Sequence, residues 1–190
     1  MLSIPLSLTL ARLLLGPIAI WMAGHGVDRA WFIAVLTCGL LSDIFDGVLA
    51  RALGVSHAWF RRLDSQVDIV FYLCILAATY LLEANTLRIG APVIAAVVAL
   101  EVLCIAVSLH KFGVMPGTHA WSAKLFGIVL FAAFLGILAF GLGPWAVWLA
   151  SAFGVAANAE VLAIIALSDE APVDVAHVGR VMRRAPRHQR

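Results

Sequence analysis

Long apolar stretches separated by short polar linkers follow one another along almost the whole chain. Each has about 20 residues, the length that an α-helix needs to cross about 30 Å of hydrocarbon. They cover residues 5–24, 30–50, 65–82, 91–110, 122–141 and 144–167. The pattern predicts an all-α integral membrane protein with six transmembrane helices in residues 1–168. Residues 169–190 form a charged cytoplasmic tail, which either lies against anionic lipid or is disordered.

The composition excludes several other classes of protein. Of the 190 residues, 63% are hydrophobic, whereas about 45–50% is usual for a soluble domain. Cys38, Cys74 and Cys104 occur singly in apolar segments, so neither a zinc site nor a disulfide framework is indicated. The sequence has no G-x-x-x-x-G-K-[ST] motif and no soluble basic surface, so neither nucleotide hydrolysis nor nucleic-acid binding is expected.

The basic residues are distributed unequally between the two ends of the predicted helices. Eleven of the 13 Lys and Arg residues fall on one side, and the other side has only Arg29 and Arg88. Cytoplasmic loops carry the excess of basic residues in membrane proteins. We therefore expect both termini and the loops near residues 52–63 and 111–124 to face the cytoplasm.

Residues 43–68 form the one strongly charged part of the predicted helical region. On the first of its two predicted helices, one face carries Asp43, Asp46, Gly47, Ala50 and Arg51. On the next helix, Asp64 and Asp68 are four residues apart and also share a face. Four neighbouring carboxylates repel one another unless a cation lies between them, and oxygen ligands suit Mg²⁺ or Mn²⁺. Gly47 leaves room for a ligand at the helix, and Arg51 can bind a phosphate. The alternative is a set of helix-end charges paired with Arg51, Arg61 and Arg62.

The spacing D-x-x-D-G-x-x-A-R, followed thirteen residues after Arg51 by D-x-x-x-D, resembles the signature of the CDP-alcohol phosphatidyltransferase family. Seven of its eight fixed positions match, and Phe60 stands where the family usually has a glycine. The resemblance implies a helical bundle with a cytoplasm-facing polar cavity. It also implies a role in phospholipid biosynthesis, in which a substituted phosphoryl group passes from a CDP-linked lipid such as CDP-diacylglycerol to an alcohol, with release of CMP.

The same resemblance assigns roles to the residues that match the family signature. It implies two Mg²⁺ or Mn²⁺ ions, held by Asp43, Asp46, Asp64 and Asp68. Asp68 is also expected to be the base that takes the proton of the acceptor hydroxyl. The cytidine diphosphate site is expected at Asp43, Gly47, Ala50 and Arg51. Relatives are commonly homodimers.

The first segment carries a second resemblance, to the bacterial phosphatidylglycerophosphate synthase branch. It rests on Pro5, Leu8, Thr9, Arg12 and Pro17, with Leu6 in place of the usual asparagine. It implies a bacterial-type inner membrane and glycerol 3-phosphate as acceptor. Leu100 and Ile69 stand where that branch has an arginine and a lysine, so inositol phosphate, a phospholipid alcohol and other polyols stay open. Arg12 is either an interfacial anchor or a substrate contact.

Candidate residues for the acceptor are spread over three predicted cytoplasmic elements. They are Arg61, Arg62, Glu101, Lys111, His119 and Lys124. For the basic residues the alternative is plain positive-inside topology, and for Glu101 it is a polar partner on another helix. Trp59 and Phe60 are predicted to be interfacial aromatics. Asn158 and Glu160 either line the cavity or bond across helices.

Two other classes of function remain as alternatives. A transporter can also use intramembrane carboxylates, but such sites tend to lie near the midplane between inverted repeats, and none is visible in this sequence. An inactive relative serving as a membrane scaffold is the other alternative, with Phe60 as its only hint. Metal-dependent release of CMP separates both from the transferase.

Overall fold

A computed structural model describes residues 3–55, 58–116, 120–172, 175, 177–179 and 181, without the side chains of Ser3, Arg51, Ala58, Arg61, Arg62 and Ser65. In this part of the chain the structure has five α-helices and no β-strand, which confirms the all-helical prediction. They are α1 (Ser3–Gly24), α2 (Ala30–Ala52), α3 (Ala58–Phe112), α4 (Trp121–Phe140) and α5 (Pro144–Leu167). All five are long and apolar enough to cross a membrane. The chain is therefore a multi-pass membrane protein.

Large apolar side chains are exposed along the helices. Leu14, Leu73 and Ile128 are each more than half exposed. Exposed apolar surface on this scale is typical of a protein whose outer face contacts lipid. These side chains are placed to contact the bilayer.

The ends of α2, which carries two of the four aspartates, have clear local causes. At its start, Asp28 Oδ1 accepts a hydrogen bond of 2.8 Å from the backbone N–H of Ala30, which satisfies a free N–H group of the first turn. At its end, Gly54 has a φ of 66°, and the N–H of Val55 bonds back to the carbonyl of Ala50 at 2.9 Å. A glycine in the left-handed region ends a helix in this way without steric cost.

Helix α3 differs from the sequence prediction, because it joins the third and fourth predicted segments in one helix of 55 residues. Its only non-helical backbone lies at Glu83, with φ −136° and ψ 45°. The predicted loop 52–63 is helical from Ala58 onward, and the predicted linker 83–90 is helical after Glu83. No glycine or proline occurs between residues 58 and 89 to end the helix.

The chain divides into two compact units, of which the first comprises Met1–Leu87 and Phe134–Gly143. In this unit α1 and α2 pack closely against α3 at glycines. A Cβ atom on Gly16 would lie 2.9 Å from Cys74 Cβ, and one on Gly39 would lie 2.5 Å from Phe71 Cζ. Small residues at such contacts let membrane helices approach closely. This close packing brings the polar residues of three helices together.

The second unit comprises Arg88–Ala133 and Pro144–Arg190. Its core contains Cys104, Ala120, Val161, Ile164 and Ile165. Cys104 is buried, whereas Cys38 of the first unit is exposed. Val175, Val178 and Val181 of the C-terminal segment pack against this core. These valines of the tail are therefore held by the protein itself, in contrast to the expectation of a tail on lipid or in disorder, because they bury apolar surface against this core.

Candidate metal centre

Four aspartates from two helices meet inside the first unit. Asp43 and Asp46 lie on α2, and Asp64 and Asp68 lie on α3, as the sequence predicts. Ligand oxygens of Asp43, Asp64 and Asp68 lie within 4.8 Å of one another. The two helices thus form one acidic cluster, although its members are up to 25 residues apart in the chain.

Asp46 is the most deeply buried of the four, with no exposed surface. Its Oδ2 accepts a hydrogen bond of 3.0 Å from Thr9 Oγ1, which lies on α1. Its Oδ1 is buried and has no hydrogen-bond partner among the residues that the structure describes. A buried carboxylate oxygen without a partner is unfavourable, so this atom marks a position where a ligand is needed.

Arg12 of α1 lies at the centre of the cluster and forms ion pairs with all four aspartates. Its Nη1 donates to Asp43 at 2.8 Å and to Asp68, and its Nη2 donates to Asp64 at 2.9 Å and to Asp46. Only 1% of Arg12 is exposed. The interfacial-anchor alternative is therefore wrong, because an anchor extends its charged group to the membrane surface.

The position of Arg12 in the sequence indicates that it has a charged partner. Arg12 is one of the few charged residues inside an apolar segment, at i+3 from Thr9. A charged group inside a membrane helix is expensive and is expected to have a charged partner. Aspartates on other helices are such partners, but one sequence does not tell which helices are neighbours in space.

The donor set fits a divalent metal ion. The three clustered aspartates and Asp46 offer only carboxylate oxygens, which are the ligands that Mg²⁺ and Mn²⁺ prefer. Three ligand oxygens lie within 4.8 Å of one another, and Asp46 Oδ1 is a buried oxygen without a partner among the described residues. The predicted metal ligands are thus brought together.

The residues predicted to bind cytidine diphosphate follow the aspartates on α2. Gly47 is half-buried and Ala50 is buried. The side chain of Arg51 lies outside the described part of the chain, so its role stays a prediction. Phe60 was predicted to be an interfacial aromatic and is instead buried, whereas its neighbour Trp59 is half-exposed. The difference arises because α3 already begins at Ala58 and turns the two adjacent rings to different sides.

The predicted acceptor residues are only partly described. Glu101, Lys111 and Lys124 belong to the second unit, and Glu101 is exposed rather than packed in the interior of that unit. Lys111 Nζ donates to the carbonyls of Ile165 at 3.1 Å and Ala166 at 2.8 Å, so it caps the end of α5. The side chains of Arg61 and Arg62, and the whole of His119, lie outside the described residues.

Two polar residues of α5 bond within the second unit. Asn158 Nδ2 donates to the carbonyl of Val97 at 3.3 Å. Glu160 Oε1 accepts from the backbone N–H of Val178 at 3.2 Å. Of the two alternatives for these residues, the structure favours bonding between segments of the protein.

A set of long apolar helices around four aspartates and a buried arginine defines an integral membrane protein with a carboxylate-rich polar site. The family model of the CDP-alcohol phosphatidyltransferases matches residues 2–156, and the chain belongs to this family. It is therefore a transferase of substituted phosphate groups, from a family that generally depends on divalent metal ions. Comparison with curated proteins and with solved structures gives no match.

Proposed function

We propose that the protein transfers a phosphatidyl group from a CDP-linked lipid, such as CDP-diacylglycerol, to an alcohol and releases CMP. The observation that carries the proposal is the cluster of Asp43, Asp64 and Asp68, whose oxygens lie within 4.8 Å of one another. Phosphoryl transfer depends mainly on positioning and on neutralising charge. A compact set of oxygen ligands inside a membrane protein of this family suits that task.

Asp43, Asp46, Asp64 and Asp68 would hold Mg²⁺ or Mn²⁺, with two ions expected from the family resemblance. Bound there, the ions would neutralise charge on the diphosphate and on the departing CMP. Asp46 would bind through its free Oδ1, while Thr9 keeps Oδ2 in place. Asp43 and Asp64, which are partly exposed, would face the incoming nucleotide.

Asp68 is proposed as the general base. Its Oδ1 accepts from Arg12, which leaves Oδ2 to take the proton of the acceptor hydroxyl. About a third of its side chain is exposed, so an acceptor can reach it. A carboxylate within hydrogen-bond distance of a hydroxyl can act in this way.

The cytidine diphosphate site is proposed on the same face of α2 as the first two aspartates. Asp43, Gly47, Ala50 and Arg51 follow one another along that face at helical spacing. The small residues would let the nucleotide approach the helix, and the guanidinium of Arg51 would bind phosphate.

The acceptor is proposed to be glycerol 3-phosphate or another polyol. Arg61, Arg62, Glu101, Lys111, His119 and Lys124 are the candidate contacts. Lys124 is the best of them, because Lys111 donates to two carbonyls of α5. The ammonium of Lys124 lies 5.7 Å from the ring centroid of Trp121.

We further propose six membrane crossings, with the cavity and both termini on the cytoplasmic side of a bacterial-type inner membrane. The apolar span Gln66–Phe112 has 47 residues, whereas one crossing needs about 20. The break at Glu83 divides it into two lengths that each suit one crossing. Residues 1–168 would be the catalytic domain of a homodimer, and residues 169–190 the cytoplasmic tail.

The test is CMP release by the purified protein from CDP-diacylglycerol with Mg²⁺ or Mn²⁺, over a panel of alcohols. Acceptor-dependent release that is lost in Asp68→Asn is the expected result and would also identify the acceptor. The variant must be folded, as judged by its melting temperature. Release at the wild-type rate in Asp68→Asn would refute the role of that carboxylate. No release with any acceptor would favour an inactive scaffold or a different donor.

A further inference from the structure

Arg12 is engaged far more completely than a structural ion pair requires. Each of its two terminal nitrogens bonds to one aspartate of α2 and one of α3. The guanidinium therefore links all three helices of the site. Because only 1% of it is exposed, solvent contributes almost nothing to its neutralisation, and the aspartates are its counter-ions.

The guanidinium also lies among the oxygens that would bind a metal ion. The three oxygens of Asp43, Asp64 and Asp68 that lie close enough to share an ion belong to residues that Arg12 contacts. A cation that bridges these oxygens has to share the same small volume with Arg12. Two positive groups at such a distance repel each other strongly in a buried site.

The charges of the cluster are not balanced by Arg12. One guanidinium leaves three of the four negative charges of the cluster uncompensated. Asp46 Oδ1 has no partner in the described part of the chain, and neither has Arg12 Nε. The arginine thus stabilises the cluster without satisfying it, which leaves a strong attraction for a divalent ion.

We propose that Arg12 is an internal competitor of the metal ions. It holds the four carboxylates together through its two terminal nitrogens, and it gives up contacts with them when divalent ions bind. This inference rests on the proposed metal site. It assigns to Arg12 a role in setting the affinity for the ions, so that the protein stays folded without metal and still binds it reversibly.

The competition predicts opposite effects of one substitution on stability and on metal affinity. In Arg12→Gln the metal-free protein should melt at a lower temperature, because four carboxylates lose their counter-ion. Its affinity for Mn²⁺ should rise by about tenfold, because the unfavourable coupling between the guanidinium and the ion is removed. Coupling between two binding sites typically changes an affinity by about 5- to 150-fold. Its melting temperature should therefore increase more on addition of Mn²⁺ than that of the wild type.

Isothermal titration with Mn²⁺ and melting curves of the detergent-solubilised full chain measure both effects. Arg29→Gln is the matched control, since it removes another arginine of the first unit from an ion pair of 2.6 Å with Glu83. It should leave the Mn²⁺ affinity unchanged. Unchanged or weaker Mn²⁺ binding in Arg12→Gln would overturn the proposal, because Arg12 would then only position the ligands.

A second variant tests whether Arg12 competes with the metal ions if Arg12→Gln does not fold even with Mn²⁺. Arg12→Lys keeps the charge but presents one nitrogen in place of two, so its Mn²⁺ affinity should lie above that of the wild type. Affinity equal to or below the wild type would overturn the proposal. Wild-type protein that binds no Mn²⁺ would refute the metal site as well. Normal Mn²⁺ binding without CMP release would refute the proposed function alone, and the comparison of variants would still test Arg12.

Discussion

Thr9 Oγ1 lies 3.0 Å from Asp46 Oδ2, and both residues are fully buried. The hydroxyl is also 3.1 Å from the carbonyl of Pro5, so its single proton can serve only one of the two oxygens at a time. A hydrogen bond to a charged carboxylate is stronger than one to a neutral carbonyl. Thr9 therefore orients the carboxylate whose other oxygen is free.

Replacing Thr9 by valine should lower the rate of CMP release by about tenfold, since a buried hydrogen bond to a charged group contributes about 1.5–3 kcal/mol. Valine has nearly the same shape but removes this donor from a buried carboxylate, so the melting temperature should fall as well. Thr9→Ser keeps the hydroxyl and should remain close to wild type. Equal rates in the valine and serine variants would show that orientation of Asp46 does not depend on this bond.

Removing the ring of Phe60 should destabilise the protein, although the family usually has a glycine at this position. Only 2% of Phe60 is exposed, and truncation of a buried phenylalanine to alanine costs about 3–5 kcal/mol. Phe60→Ala should therefore lower the melting temperature clearly. Trp59→Ala is the control, because 48% of Trp59 is exposed. If both variants melt alike, the ring of Phe60 is not part of the packed core.

Gly39 should tolerate no side chain, in contrast to Gly127. A Cβ on Gly39 would lie 2.5 Å from Phe71 Cζ, whereas one on Gly127 would meet nothing within 4 Å. Gly39→Ala should lower the free energy of unfolding by about 1–3 kcal/mol, the usual effect of overpacking. Gly127→Ala should be neutral or stabilising, because alanine favours the helix by about 1 kcal/mol. Thermal unfolding in detergent compares the two, and a stable Gly39→Ala would contradict the close contact of α2 with α3.

Glu160 should hold the C-terminal segment to the second unit. Its Oε1 accepts from the N–H of Val178 at 3.2 Å, and loss of a bond to a charged group costs about 1.5–3 kcal/mol. In Glu160→Ala, trypsin should cleave the arginine-rich C-terminus about tenfold faster, since cleavage tracks the population of the open form. Glu170→Ala, at an exposed acid nearby, should be cleaved at the wild-type rate. The same rate in both variants would mean that Glu160 does not hold the segment.

Much of the architecture was predictable from the order of apolar and polar residues. Segments 5–24, 30–50 and 144–167 agree with α1, α2 and α5 to within two residues at either end. Their ends are marked by glycine, proline or a capping aspartate, whose effects on the backbone are local. In α3 no glycine or proline occurs before Gly90, and the continuous helix with its break at Glu83 was not predicted.

The four aspartates were predictable because residues three or four apart share one face of a helix, and that spacing can be read from the sequence. Their tertiary partners were not. That Arg12 contacts all four, that Thr9 bonds to Asp46 and that Phe60 is buried depend on which faces of α1, α2 and α3 meet.

The sequence by itself determined the class of this protein, a helical membrane transferase with an acidic site, because hydrophobic length and residue spacing are properties of the chain. Only the tertiary structure decided how that site is neutralised. Arg12 and Asp68 are 56 residues apart, and a contact at that separation arises from helix packing rather than from any local pattern. Burial then increases the Coulomb attraction between the guanidinium and the carboxylates, since the effective dielectric constant inside a protein is lower than that of water.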